Sequence, residues 1–369
     1  MKFGILLVNL GTPDQPTPKA VGRYLRQFLM DPFVIDIPTA LRWLLVNVAI
    51  VPRRKYKSAE AYQTVWTPEG SPLAIHLRNL VFELQKVRPD ARVAGAMRYG
   101  NPSIEATLTD LKSSGITDLL VIPLYPQYAE SSTRSSIEEV SHALARIAWS
   151  PALHVVRSFF DDQSHAEAWA DLIELELNHE ASDSSFKSEK HLLLSYHGLP
   201  ERHLKKSDPS GSHCLDGGQA TRQESELRTY SCCEKAISTG CLTLATCYRA
   251  QCLRTSQMII EELKSRGINL KRDEWTMAFQ SRLGRTPWIK PYTDDVIPML
   301  AKRNVSLIVA TPSFVADCLE TIEEIGDRAK HDFLQAGGKD FRRVPCLNTS
   351  PTWVSSLKKL TEKSVSSLS

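Results

Sequence analysis

Two short stretches carry the residue types that could do proton or metal chemistry. In SYHGLP, residues 195–200, His197 follows the apolar run HLLLS and precedes Gly198 and Pro200. Glycine and proline so placed predict a sharp turn, which puts the imidazole at a strand end and not on a helix face. Histidine titrates near neutrality and can accept a proton, pass one on or ligate a metal; a structural role is the alternative. In PSFVADCLETIEEIGDRA, residues 312–329, Glu320 and Glu324 are four apart and share a helix face, with Glu323 and Asp327 on the next stripe. Two carboxylates in one cleft repel unless one binds a proton or a cation lies between them, which is how a site collects protons or conducts a divalent metal. A water-facing crossover helix has the same spacing, so spacing alone leaves both readings open.

Sulfur is concentrated in SCCEKAISTGCLTLATCYRAQCL, residues 231–253, which holds Cys232, Cys233, Cys241, Cys247 and Cys252, with Cys214 upstream. The spacing of Cys233, Cys241 and Cys247 is not the CxxC of zinc sites. Thiolates remain sound ligands for iron. Other polar and aromatic residues follow apolar runs: Arg98 and Tyr99 in MRYG, Tyr125, Gln127 and Tyr128 in LYPQYAESST, Gln280 and Arg282 in FQSRLGRTPW, and Trp288. They outline a broad cleft for a large, flat, partly apolar ligand with anionic groups. Arg53 and Arg54 would pair with such carboxylates, because guanidinium makes paired hydrogen bonds; a basic helix end facing water or headgroups is the alternative.

The elements that must position these residues are short apolar runs: KFGILLVNLG, RVAGAMRYG, DLLVIPLYPQYA and LHVVRSFF, then HLLLSYHGLP, TMAFQSRLG and NVSLIVATP. Bounded by Gly and Pro and separated by amphipathic segments such as IEATLTDLKSSG, they predict buried parallel strands with crossover helices. The fold class is α/β, in two successive halves, 1–180 and 181–369, with a polar hinge near 180. Such sheets take ligands beyond the carboxyl ends of their strands, which is where His197 and the acidic stretch lie. The segment DFLQAGGKDFRRVPCLNTSPTWVSSLKKL predicts a helix end, a loop and a closing helix.

With 369 residues, 42% hydrophobic and 24% charged, the chain needs no disulfides to hold a core. Its net charge of +3 arises from many residues of both signs and lacks the concentrated basic field of a nucleic-acid binder. No GxGxxG or GxxxxGK motif is present. The opening MKFGILLVNLGTPDQPT predicts a strand and its loop, not a signal peptide, and the expected location is cytoplasmic. IDIPTALRWLLVNVAIVP, residues 35–52, is interrupted by Pro38, Arg42 and Asn47 and falls short of a membrane span. It predicts a surface or lip helix, or a core helix.

NLGTP, RRKYKSAEAYQTVWTPEGSPL, LYPQY, SYHGLP, FQSRLGRTPWIKPYTDD and FVADCLETIEEI, in this order over roughly residues 3 to 357, resemble the motifs of the ferrochelatases, which insert ferrous iron into a porphyrin. The resemblance implies two Rossmann-like halves with parallel sheets around a central porphyrin cleft, a class II chelatase-like fold without a bound nucleotide. It implies protoporphyrin IX and Fe²⁺ as substrates. His197 matches the family's histidine and Glu320 the carboxylate of its acidic helix, both as metal-contacting residues; Glu324 continues the acidic path and Asp317 orients the site. Tyr62, Arg98, Tyr128, Ser132, Thr133, Gln280 and Trp288 match positions around the macrocycle, and residues 39–50 match a lip that covers porphyrin and meets the inner membrane peripherally. A homodimer is compatible with the resemblance, and no nucleic-acid partner is expected.

The chain departs from the simplest bacterial pattern in a cysteine-rich insertion, about 211–247. Some relatives are expected to carry a [2Fe-2S] cluster, but the animal ligand positions are not matched, with Ala129 and Glu130 after YPQY. A cluster here would use Cys214, Cys233, Cys241 and Cys247, with Cys232 and Cys252 as substitutes; zinc and free or redox-responsive thiols are the alternatives. Competing readings are a chelatase for coproporphyrin or another metal, and a porphyrin or haem carrier without chemistry.

Overall fold

A computed structural model describes residues 2–179, 189–211, 231–282, 284 and 286–366. The expected hinge near 180 and Cys214 lie outside the described residues. The first half runs β1 (Phe3–Thr12), α1 (Pro18–Leu29), α2 (Thr39–Leu44), α3 (Val51–Val65), α4 (Pro72–Val87), β2 (Ala91–Gly100), α5 (Ile104–Ser113), β3 (Asp118–Pro123), α6 (Ser135–Arg146), β4 (Ala152–Val155) and α7 (Gln163–Asn178). The second runs β5 (Lys190–His197), α8 (Glu201–Ser207), α9 (Ser231–Thr239), α10 (Tyr248–Ser265), β6 (Trp275–Gln280), α11 (Thr293–Lys302), β7 (Ser306–Ala310), α12 (Lys330–Gln335), β8 (Asp340–Arg343) and α13 (Pro351–Ser366). Each half holds one four-stranded parallel sheet, in the orders β2-β1-β3-β4 and β6-β5-β7-β8. The two orders are the same pattern repeated.

The seven runs read as strands are strands. Their apolar character follows from helices covering both faces of each sheet. Ile5, Leu7, Val93, Met97, Leu120 and Ile122 pack toward α4, while Leu6, Val8, Ala96, Leu119 and Val121 pack toward α5 and α6. The inner face of the second sheet, with Leu192, Leu194, Met277 and Phe279, joins the same core as α4 and α7. Its outer face, with Leu193, Leu307 and Val309, is covered by α11 and α12. The closing helix α13 packs on α4 and α7, so the end of the chain lies against the first half.

One expectation is corrected. The loop expected before α13 contains β8, the edge strand DFRR, paired in parallel with β7. It escapes pattern reading because it is short and charged. At a sheet edge its arginines find partners outside the ladder: Arg342 reaches Asp340 and the carbonyls of Glu176 and His179.

Both strand orders reverse direction beside their first strand, so the crevices for ligands lie beyond β1 and β3 and beyond β5 and β7. A helical segment of the first half packs through α3 against the acidic stretch Glu320–Ala329 of the second. It begins as α2, winds as a π-helix over Leu45–Ile50 and continues as α3 past Pro52, which cannot donate to the preceding turn. Leu41, Trp43, Leu44 and Val48 are exposed, whereas Val46 and Val51 are buried and Arg42 turns inward to the carbonyls of Ile35 and Ile37. Of the two readings left open for this stretch, these exposures fit a surface helix and not a core one. No helix among the described residues is long and apolar enough to cross a membrane.

Candidate active site

His197 ends β5, directly opposite Gln280 in the ladder with β6. Its backbone is gripped on both sides: its N–H donates to Ser313 Oγ at 2.9 Å, and Tyr248 Oη donates to its carbonyl at 2.9 Å. The ring Nδ1 lies 2.7 Å from the Gly198 carbonyl oxygen. A carbonyl can only accept, so Nδ1 carries the proton and a neutral ring presents Nε2 as its basic nitrogen. The turn that follows admits no side chain: a Cβ on Gly198 would stand 2.9 Å from the Gln280 carbonyl and 3.2 Å from the Trp288 ring. Trp288, itself buried, also bridges to Pro200.

Glu320 and Glu324 lie on a π-helix, Glu320–Ala329, that leads into α12. Gln280 ties this helix to the histidine strand, donating its side-chain amide to the Glu320 carbonyl at 3.0 Å and to Glu324 at 3.4 Å. The same Gln280 accepts from Ser195 at 2.8 Å. Ser281 holds Glu324 from below with its amide and hydroxyl. Burial first, and Glu320 second, push the Glu324 carboxyl above the usual range; Ser281, Arg328 and His197 pull the other way. Glu323 instead pairs with Arg328 at 3.1 Å and Asp327 is exposed, so the neighbouring stripe faces out.

Asp317 fixes where this helix starts. It accepts from Thr321, Arg343 and Asn348 at 2.8, 2.6 and 2.8 Å. Burial alone would raise its pKa, but Arg343, Asn348, Thr321 and His76 together hold it below the ordinary value. From the first half, Tyr62 on α3 closes on the acids. It stacks edge-on against Tyr24, and burial raises both phenols, reinforced at Tyr62 by the Glu320 charge and at Tyr24 by Tyr62 and then Glu320, which keeps them protonated donors.

The other predicted residues belong to the first half. Tyr128 donates its backbone N–H to Gln251 of α10 at 2.6 Å, joining the two halves. Thr133 is buried with its hydroxyl unpartnered and Ser132 is partly buried on the neighbouring turn. Arg98 is committed: Asp31 at 2.6 Å, Ser135 and the Tyr99 ring take up its guanidinium. Arg53 and Arg54 are exposed on α3. Pattern reading passed over Ser281, Ser313, Tyr248 and Asp31, whose roles come from contacts across 43 to 116 positions in the sequence.

The cysteines of the dense run lie on α9, the turn after it and the start of α10. Cys232 and Cys233 Sγ atoms are 3.9 Å apart, and Cys233 also contacts Cys247. Cys247 and Cys252 are buried, while Cys241 is exposed on the preceding turn. Among the described residues no group of three or more His, Cys, Asp or Glu side chains could hold a metal ion.

Comparison with known proteins bears on the family and the fold. The ferrochelatase family model matches residues 2–365. A ferrochelatase of Stutzerimonas stutzeri is 43% identical over 99% of this chain and 98% of its own length. One from Azotobacter vinelandii is 44% identical over 96% and 97%. The solved structure of SirB from Bacillus subtilis with Fe³⁺ shares the fold at a TM-score of 0.52 and 12% identity, covering 99% of this chain and 96% of that one.

Proposed function

The chain belongs to the ferrochelatase family, and on that premise we propose that it inserts ferrous iron into protoporphyrin IX, with His197 and Glu324 taking the two pyrrole protons. It is a metal chelatase of haem synthesis whose substrates are porphyrin and Fe²⁺. A free-base porphyrin carries two N–H protons, and replacing them by Fe²⁺ releases both. His197, with Nδ1 engaged, accepts one at Nε2. Glu324 accepts the other: burial raises its pKa and so its basicity, and the Ser281 donors keep the carboxylate available. With Glu320 beside it, the pair shares a proton or a cation more easily than it holds two charges. The observation that carries this reading is Gln280, which stands opposite His197 and binds both acidic residues.

Tyr62 and Trp288 supply aromatic walls, and Tyr128, Ser132, Thr133 and Arg98 shape the first-half side of the cleft. Arg53 and Arg54 serve carboxylates at its rim. The apolar outer face of the lip, Leu41, Trp43, Leu44 and Val48, is followed by Arg53, Arg54 and Lys57, a composition suited to peripheral contact with the cytoplasmic face of the inner membrane.

A [2Fe-2S] cluster on Cys214, Cys233, Cys241 and Cys247 belongs to this proposal. Its support is the adjacency of Cys233 with Cys247 and the softness of thiolate donors. The described sulfurs do not by themselves complete a site, since Cys232 is the neighbour of Cys233 and Cys241 is exposed, so no catalytic step passes through a cluster. Iron and acid-labile sulfide in equal amounts after anaerobic purification, lost in Cys233→Ser, are the expected result.

Anaerobic incubation with Fe²⁺ and either protoporphyrin or coproporphyrin, followed by absorption, tests the activity. Faster metallation of protoporphyrin is expected. Preference for coproporphyrin would move the substrate assignment, and porphyrin binding without metallation would leave a carrier.

A further inference from the structure

The loop that leads into the lip carries two acids that are anchored to different halves. Asp31 is held within the first half by Arg98, Tyr99 and Ser135. Asp36 crosses to the second half and meets three basic side chains of α8: Arg202 pairs directly with its Oδ1, His203 Nε2 lies 3.9 Å from Oδ1, and Lys206 Nζ lies 3.9 Å from Oδ2. Arg42 holds the carbonyls on either side of Asp36, at Ile35 and Ile37, so the carboxylate is presented by a braced loop. Its side chain is 19% exposed and that of His203 only 10%, whereas Arg202 and Lys206 reach into solvent.

The charge does not balance at this point. Arg202 and Lys206 are two fixed cations and one carboxylate answers them; burial holds His203 below its ordinary pKa, so it adds a neutral imidazole rather than a third charge. Glu130 also faces His203, but it is held by Arg134 at 2.7 Å. An excess of cations with a planar guanidinium among them is a receptor for carboxylates. The position is suited to the reaction: α8 starts four residues after His197, and its first amide is bonded to the Pro287 carbonyl beside Trp288. A flat macrocycle lying against His197 and Trp288 would extend its carboxylate arms toward the mouth formed by α8 and the lip.

We propose that Arg202, His203 and Lys206 form the site for a carboxylate arm of the porphyrin, and that Asp36 fills it from within the chain until substrate takes its place. The proposal rests on the porphyrin reading above. Displacing Asp36 exchanges one carboxylate for another, so the site discriminates acids from esters at little cost, and it releases the lip loop only when an acid-bearing porphyrin has arrived.

Fluorescence titration of the full chain, without iron, with a dicarboxylate porphyrin and with its dimethyl ester tests this. Arg202→Gln combined with Lys206→Gln, both at exposed positions, should weaken binding of the diacid roughly tenfold and leave the diester within about twofold. Asp36→Asn removes the internal competitor and should tighten the diacid by about fivefold, with the diester unchanged. Lys206→Glu should weaken the diacid further, guarding against a silent neutral variant. Equal effects on acid and ester, or weaker diacid binding by Asp36→Asn, would make Asp36 a strut and overturn the proposal. A parent chain that binds neither porphyrin would overturn the porphyrin reading as well, whereas one that binds both while the variants behave alike overturns the carboxylate site only.

Discussion

Ser281 stands in the left-handed region at φ 64° and gives Glu324 both its main-chain amide, at 2.8 Å, and its hydroxyl, at 2.5 Å. A non-glycine residue is rarely kept there, and the two hydrogen bonds to one carboxylate are what the conformation achieves.

These donors favour the charged form of Glu324 against the raising effects of burial and Glu320. A proton acceptor must begin as carboxylate, so insertion fails as pH falls through that raised pKa. Ser281→Ala removes the hydroxyl donor, and the acid limb of the kcat profile is expected to move to higher pH by roughly one unit. A limb that does not move would separate Glu324 from turnover.

His197→Ala removes the basic nitrogen while leaving the aromatic walls. Insertion should fall by roughly 10²–10⁴-fold with porphyrin affinity changed only a few-fold. Stopped-flow insertion alongside fluorescence titration separates the two effects, and ordinary turnover would remove His197 from the mechanism.

Gly198→Ala places a methyl 2.9 Å from the Gln280 carbonyl and 3.2 Å from Trp288. Neither the strand backbone nor the packed indole yields easily. A stability loss of about 1–3 kcal/mol is expected, with insertion reduced more than binding because the imidazole shifts. Urea unfolding and the insertion assay together check it.

His165 is fully buried between Phe159 and Trp353, and neither ring nitrogen has a hydrogen-bond partner. Burial lowers its pKa from the ordinary 6.5 to about 3. Between those values the unfolded chain binds a proton that the native fold refuses. Stability is therefore unaffected above about pH 6.5 and falls toward pH 3, at about 1.4 kcal/mol per pH unit. His165→Leu should flatten that slope in thermal melts between pH 6.5 and 4; an identical slope would place the acid sensitivity elsewhere.

Asp31→Ala would leave Arg98, mostly buried, without its main counter-charge, and Tyr99 and Ser135 without their acceptor. A loss of about 3 kcal/mol or more is expected from denaturant unfolding. This network also explains why an arginine at a strand end, read from sequence as facing substrate, is already engaged by the protein.

The sequence by itself determined seven of the eight described strands, because buried runs bounded by turn residues are a local signal. Through them it determined that His197 and the acidic stretch share one sheet end. The ordered motifs further determined the family. Tertiary structure alone decided which partner each side chain meets: Ser281 with Glu324, Ser313 and Tyr248 with the histidine backbone, Asp31 with Arg98, Asp36 with α8. It also decided that DFRR is a strand and that the apolar helix turns its leucines and tryptophan outward. The physical reason is the same in each case. Periodicity and turn chemistry are properties of neighbouring residues, whereas these contacts depend on the β5–β6 register and on the packing of segments far apart in the chain.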